Sequence, residues 1–135
     1  PDKDAGLREL ADCFAPVVTV VGKTWDLHLE KILRVSRDEN LRIIEDSVAF
    51  LVAQGKEVVY DSEHFFDAYA AHPDYAIRCL QAAAAGGASW VVPCDTNGGT
   101  LPGRLGTVVS EVVAALPDVP VGIHCHNDAE CGVAN

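Results

Sequence analysis

The chain has 135 residues, 49% hydrophobic and 22% charged, with 20 acidic against 10 basic residues for a net charge of −10. That length suits one compact core. No run of about 18 apolar residues offers a membrane span, and Lys31, Arg34, Arg37 and Arg42 are too scattered for a nucleic-acid footprint. The N-terminus shows no basic segment followed by an apolar one, so a soluble, cytoplasmic protein with neither nucleic acid nor membrane as partner is expected. The cysteines Cys13, Cys79, Cys94, Cys125 and Cys131 form no C-x-x-C pair and are expected to be free, mostly buried thiols.

Short β-branched runs alternate with amphipathic helices, without a linker or a low-complexity stretch. The first strand is expected at Val17 to Val21. A helix follows from about Asp38, which suits an N-cap, and carries Leu41, Ile44, Val48, Leu51 and Val52 at helical spacing until Gly55 ends it. Val58 to Tyr60 forms the second strand. Pro73 suits the first turn of the next helix, whose Ile77, Leu80 and Ala84 share a face, and Gly86 and Gly87 stop it. Ser89 to Cys94 is the third strand. After Asp95-Thr96-Asn97-Gly98-Gly99, Thr100 can cap a helix that starts near Pro102 and turns Leu105, Val108, Val109, Val112 and Leu116 inward. Val121 to Cys125 forms the fourth strand.

Apolar strands separated by helices indicate an α/β protein of parallel β/α units, and on pattern alone both barrel and doubly wound sheets are open. Each strand runs into a polar loop: Gly22-Lys23-Thr24, Asp61-Ser62-Glu63-His64, Asp95 to Gly99, and His124 to Asp128. Successive loops feeding one site fit a curved, closing sheet better than one whose loops diverge at a switch point. A partial (β/α)8 TIM barrel is therefore expected. A full barrel takes roughly 250 residues, so four strands make about half of one, and the outer strands would present edges that call for a fragment or a dimer.

In Ile123-His124-Cys125-His126-Asn127-Asp128, two imidazoles occupy alternate positions at a strand end. Side chains at i and i+2 share a face, so both rings can converge on one divalent metal. In an arbitrary protein such a pair is more often structural; the strand-end position followed by Asn-Asp favours metal. Asp95 to Gly99 is, by default, a tight turn, and Glu63 alone reads as a loop acid. Trp25 and Trp90 read as core or interface residues. His28, His64 and His72 are assigned no chemistry, although His64 borders the site.

Five motifs carry a resemblance: G-K-T-W-D-L-H from Gly22 to His28, E-N-L-R-I-I-E-D-S-V-A-F-L from Glu39 to Leu51, Y-D-S-E-H-F-F-D-A-Y from Tyr60 to Tyr69, C-D-T-N-G-G-T-L-P from Cys94 to Pro102, and G-I-H-C-H-N-D from Gly122 to Asp128. In that order they resemble the citramalate synthases, within the isopropylmalate and homocitrate synthase family of the DRE-TIM metallolyase superfamily. The resemblance implies an acyltransferase that adds acetyl-CoA to the ketone of pyruvate by a Claisen condensation, giving citramalate on the route to isoleucine. It also implies that His124 and His126 bind a divalent metal acting as a Lewis acid on the keto acid. Imidazoles suit zinc, manganese or cobalt, while magnesium prefers more oxygen ligands. Glu63 matches the family's active-site glutamate, Thr96 the threonine that binds the keto-acid carboxylate with Asn97 beside it, and Asp95 is expected to fix the loop.

The superfamily's first-strand motif, with its metal-binding aspartate and its arginine, is absent from this sequence. Residues 1–135 are therefore expected to be the central part, about strands three to six, of a catalytic barrel, and to be inactive in isolation for want of metal ligands. A homo-oligomer, with 2-keto acid and acetyl-CoA as small-molecule partners, is expected. Three alternatives compete: a 2-isopropylmalate or homocitrate synthase, a hydroxymethylglutaryl-CoA-type lyase, and an inactive self-associating half-barrel.

Overall fold

The computed structural model describes residues 1 and 3–135. Its sheet has four parallel strands, β1 (Val17–Lys23), β2 (Glu57–Glu63), β3 (Trp90–Asp95) and β4 (His124–Cys125), in the order β1-β2-β3-β4. An order that follows the chain without reversal is that of a barrel wall, whereas a doubly wound sheet reverses at its switch point. The expected partial barrel is thus the architecture found. Among the described residues no helix is long and apolar enough to cross a membrane.

Three helices make the crossovers and cover one face. Helix α3 (Arg37–Ala53) links β1 to β2, α5 (Pro73–Ala85) precedes β3, and α6 (Pro102–Ala115) precedes β4. Their stripes Ile44, Val48 and Leu51, then Cys79, Leu80 and Ala83, then Leu105, Val108 and Val112 pack on Val18, Val58, Tyr60 and Val91 to form the core. At the α5 C-terminus Gly86 abuts α3, where a Cβ would stand 2.6 Å from the Glu45 carbonyl oxygen and 2.9 Å from Val48 Cβ.

The structure shifts several expected details. Ser36, not Asp38, caps α3: its side chain accepts the Glu39 N–H at 3.1 Å. Asp38 instead lies in the first turn, where a carboxylate favours the helix dipole. Thr100 does not cap α6, because Asp95 holds it and Leu101 takes the N-cap position. Val52 is exposed at the rim of α3 rather than inward. The fourth strand is shorter than expected, with its earlier part reduced to a bridge between Val121 and Val91. Three short elements carried no strong periodic signal: α1 (Ala5–Asp12), α2 (Asp26–His28) running into a π turn at Leu29–Leu33, and α4 (Phe65–Ala71).

Candidate functional site

Parallel strands bring all their C-terminal ends to one rim. Alternation along β2 turns Val58, Tyr60 and Ser62 into the core and leaves Val59, Asp61 and Glu63 on the other face. Lys23 lies level with Glu63, Asp61 with Val92, and Cys94 with His124. Lys23, Glu63, Asp61, Cys94 and His124 therefore share one face near one rim.

The His124 Nδ1 atom lies 3.1 Å from Asp61 Oδ2. Asp61, Cys94 and His124 each offer a donor atom within 4.8 Å of the others. The His126 ring lies beside that of His124, with centroids 5.3 Å apart, as alternate positions of an extended segment require. Its backbone N–H donates to the Asp95 carbonyl at 3.2 Å, tying the histidine loop to β3. Nitrogen, oxygen and sulfur donors around one point suit zinc or cobalt, so the residues present fit a divalent ion. Burial, with the Asp61 carboxylate beside it, pushes the Cys94 thiol up to about 12.

Glu63 forms an ion pair with Lys23, and His28 Nδ1 stands 3.6 Å from the same carboxylate. His28 packs edge-on to His64 at 4.8 Å, and Trp25 lies 5.5 Å and 5.4 Å from the two rings. Burial foremost, and then the charges of His64 and Lys23, lower His28 below the ordinary histidine range and favour the neutral ring. Asn40, buried on α3, donates to the Lys23 carbonyl at 2.8 Å and to the Tyr75 hydroxyl at 2.9 Å.

Thr96 accepts the His64 backbone N–H at 2.8 Å, which leaves its own hydroxyl proton free to donate. That bond helps hold His64 at a φ of 53°, a left-handed conformation that a residue with a Cβ adopts at some cost. The His64 ring bonds Asp67 at 2.9 Å. Asn97 donates to both Asp67 carboxylate oxygens at 2.9 Å. It lines a crevice of about 450 Å³ with Asp67, Thr100 and Arg104. The structure thus gathers His124, His126 and Glu63 on the strand-end rim and joins Thr96 to the residue after Glu63, while Asn97 faces the crevice. Asp95 fixes its loop as expected, accepting from Thr100 N at 3.0 Å and Thr100 Oγ1 at 2.9 Å.

Sequence reasoning assigned no role to Asp61, Cys94, Lys23 or His28. The available signal was strand parity, since Asp61 and Glu63 are alternate residues, as are Val92 and Cys94.

The profile of the HMGL-like family matches residues 3–135. The chain belongs to the HMGL-like family. Among HMGL-like relatives, the (R)-citramalate synthase of Geobacter sulfurreducens is 51% identical over 135 residues, which cover 100% of this chain and 25% of that protein. The (R)-citramalate synthase of Aquifex aeolicus is 47% identical over 133 residues, covering 98% of this chain and 25% of that protein. 2-Isopropylmalate synthases match at lower identity. The chain therefore spans about a quarter of the length of the curated relatives it matches. The crystal structure of the HMG-CoA lyase of Bacillus subtilis superposes with a TM-score of 0.83 at 20% identity, covering 96% of this chain and 45% of that one. That likeness establishes the shared fold, part of a TIM barrel.

Proposed function

We propose that residues 1–135 are part of the catalytic barrel of a citramalate synthase, an acyltransferase that condenses acetyl-CoA with pyruvate on a route to isoleucine in the cytoplasm. The observation that carries this reading is the identity of 45–51% with (R)-citramalate synthases along the whole chain. Site geometry supports it, because the strand-end rim brings imidazole donors together with a paired glutamate and a free threonine hydroxyl proton.

In this reading His124 and His126 hold a divalent ion, which when bound supplies Lewis-acid polarisation of a keto oxygen and stabilises developing alkoxide charge. Thr96 donates its hydroxyl proton to the carboxylate of the keto acid. Glu63, held by Lys23, orients groups at the reacting carbon and handles protons there, and Asn97 buttresses the loop through Asp67. Two imidazoles and Glu63 do not complete such a site without the aspartate and arginine that this sequence lacks. The 135-residue chain alone is accordingly expected to be inactive.

The test is CoA release by the protein that carries this chain, supplied with acetyl-CoA, manganese or zinc, and either pyruvate or 2-ketoisovalerate. Preference for pyruvate by at least tenfold in kcat/KM is expected. Preference for the branched acid would reassign the protein to the isopropylmalate synthases, and release by the 135-residue chain at an enzyme-like rate would overturn its expected inactivity.

A further inference from the structure

Glu63 is gripped on one oxygen. The Lys23 ammonium and His28 Nδ1, the latter at 3.6 Å, both address Glu63 Oε2, and among the described residues Oε1 has no hydrogen-bond or ion-pair partner. The backbone beside this pair is fixed from below: the buried hydroxyls of Thr24 and Ser62 hydrogen-bond each other, and Asn40 holds the Lys23 carbonyl at 2.8 Å. His28 arrives from a different element, α2, where it packs edge-on to His64 at 4.8 Å and against Trp25 at 5.5 Å, so two aromatic neighbours set the plane of its ring. Its Nδ1 atom is buried and has no hydrogen-bond partner among the described residues. A buried polar atom left in that state is costly, and Glu63 Oε2 is an acceptor within a few tenths of an ångström of hydrogen-bond reach. Burial above all lowers this ring below the ordinary histidine range, so it is neutral and carries a single N–H, which can sit on Nδ1.

We propose that His28 is a positioning residue whose Nδ1–H donates to Glu63 Oε2 when a reactant binds, so that Lys23 and His28 together hold that oxygen and leave Oε1 to the reactants. This inference rests on the role given to Glu63 above and adds to it the group that aims the carboxylate. Lys23 alone cannot do so, because an ammonium is a point charge on a flexible stem that follows the carboxylate as it turns. An imidazole N–H has one direction, and here the ring is packed on Trp25 and His64. Two donors from separate elements on one oxygen stop rotation about the last bond of Glu63 and give the second oxygen a fixed direction. Misplacement of a reacting group by about 1 Å costs on the order of 100-fold in rate.

Steady-state CoA release by the full-length protein tests this, with His28→Asn and His28→Phe each made in the wild type and His28→Phe also made in Glu63→Gln. The asparagine amide places an N–H where Nδ1 stands, whereas phenylalanine keeps the flat ring and removes the donor. His28→Phe is expected to lower kcat about tenfold or more with KM for the keto acid within about twofold, and His28→Asn to recover most of that loss. In the Glu63→Gln background His28→Phe should add no further loss, because the carboxylate it aims is gone. A His28→Phe protein that keeps its kcat, a His28→Asn protein that falls as far as His28→Phe, or an undiminished His28→Phe loss in Glu63→Gln would each overturn the proposal and leave His28 as a packing residue. Wild-type kcat in Glu63→Gln itself would overturn the role of Glu63 and this inference with it, whereas a loss there with none in His28→Phe overturns this inference alone. Should His28→Phe not fold by far-ultraviolet dichroism, His28→Gln replaces it, since its amide reaches the Nε2 position instead, and the same outcomes decide.

Discussion

Glu63 and Lys23 face each other because their strands run parallel in a register that sets them level, and Asn40 fixes that arrangement from behind by holding the Lys23 carbonyl. In the full-length protein Glu63→Gln is expected to lower kcat by about 10²–10⁴-fold, the range for a positioned acid or base, with far-ultraviolet dichroism unchanged. Asn40→Leu removes the donor to the Lys23 carbonyl and to the Tyr75 hydroxyl and should cost about 2–4 kcal/mol in urea unfolding. A loss under about 0.5 kcal/mol would show that other groups take over both bonds. The sequence named Glu63, Thr96, His124 and His126 from motifs. It was silent on Asn40, whose partners stand 17 and 35 residues away and become neighbours only once α3 packs on the sheet and α5. Cys94 was legible as a buried thiol, but its proximity to Asp61 and His124 depends on inter-strand register, which no local pattern specifies.

Among the elements, Gly86 is what lets the end of α5 approach α3. Gly86→Ala would drive a methyl group against backbone and is expected to destabilise the chain by about 1–3 kcal/mol, read as a lowered urea midpoint. The segment that carries His28 is anchored by Asp26, which accepts from Arg37 Nε at 2.9 Å and lies 3.1 Å from His72 Nε2. The hydrogen bond from Arg37, more than its charge, holds Asp26 below its ordinary value of 3.8. Because the folded value is depressed, this pair contributes stability above the ordinary range, and the contribution disappears as pH falls through the folded value. The urea midpoint of the wild type should therefore fall below about pH 4 more steeply than that of Asp26→Asn; parallel curves would show that the pair contributes nothing. The long helices were legible because three or four turns repeat a stripe. α4 escaped because its seven residues, crowded with Phe65, Phe66 and Tyr69, make only about two turns and end two residues before Pro73, too short to repeat a stripe.

For the whole molecule, the face of the sheet opposite the helices leaves Val17, Val21 and Trp90 exposed, and β1 and β4 each have one unpaired edge among the described residues. Apolar area beside free strand edges favours association. The 135-residue chain is expected to sediment as a dimer or larger species at micromolar concentration and to shift towards monomer in Val21→Lys; a wild-type chain that remains monomeric up to about 100 μM would contradict this. Pattern alone left barrel and doubly wound sheets open, and the polar loops favoured the barrel because they end every strand on one side. What the sequence could not convey was the depth of that open face, which depends on sheet curvature.

Strand order that matches chain order has a consequence for biosynthesis. Each β/α unit docks on the one made just before it, so a ribosome can release this wall piece by piece, and β1 with α3 can await β2 without any later residue. The His124 loop is made after the strands that carry Asp61 and Cys94, so within this segment the rim gains its polar side chains in chain order.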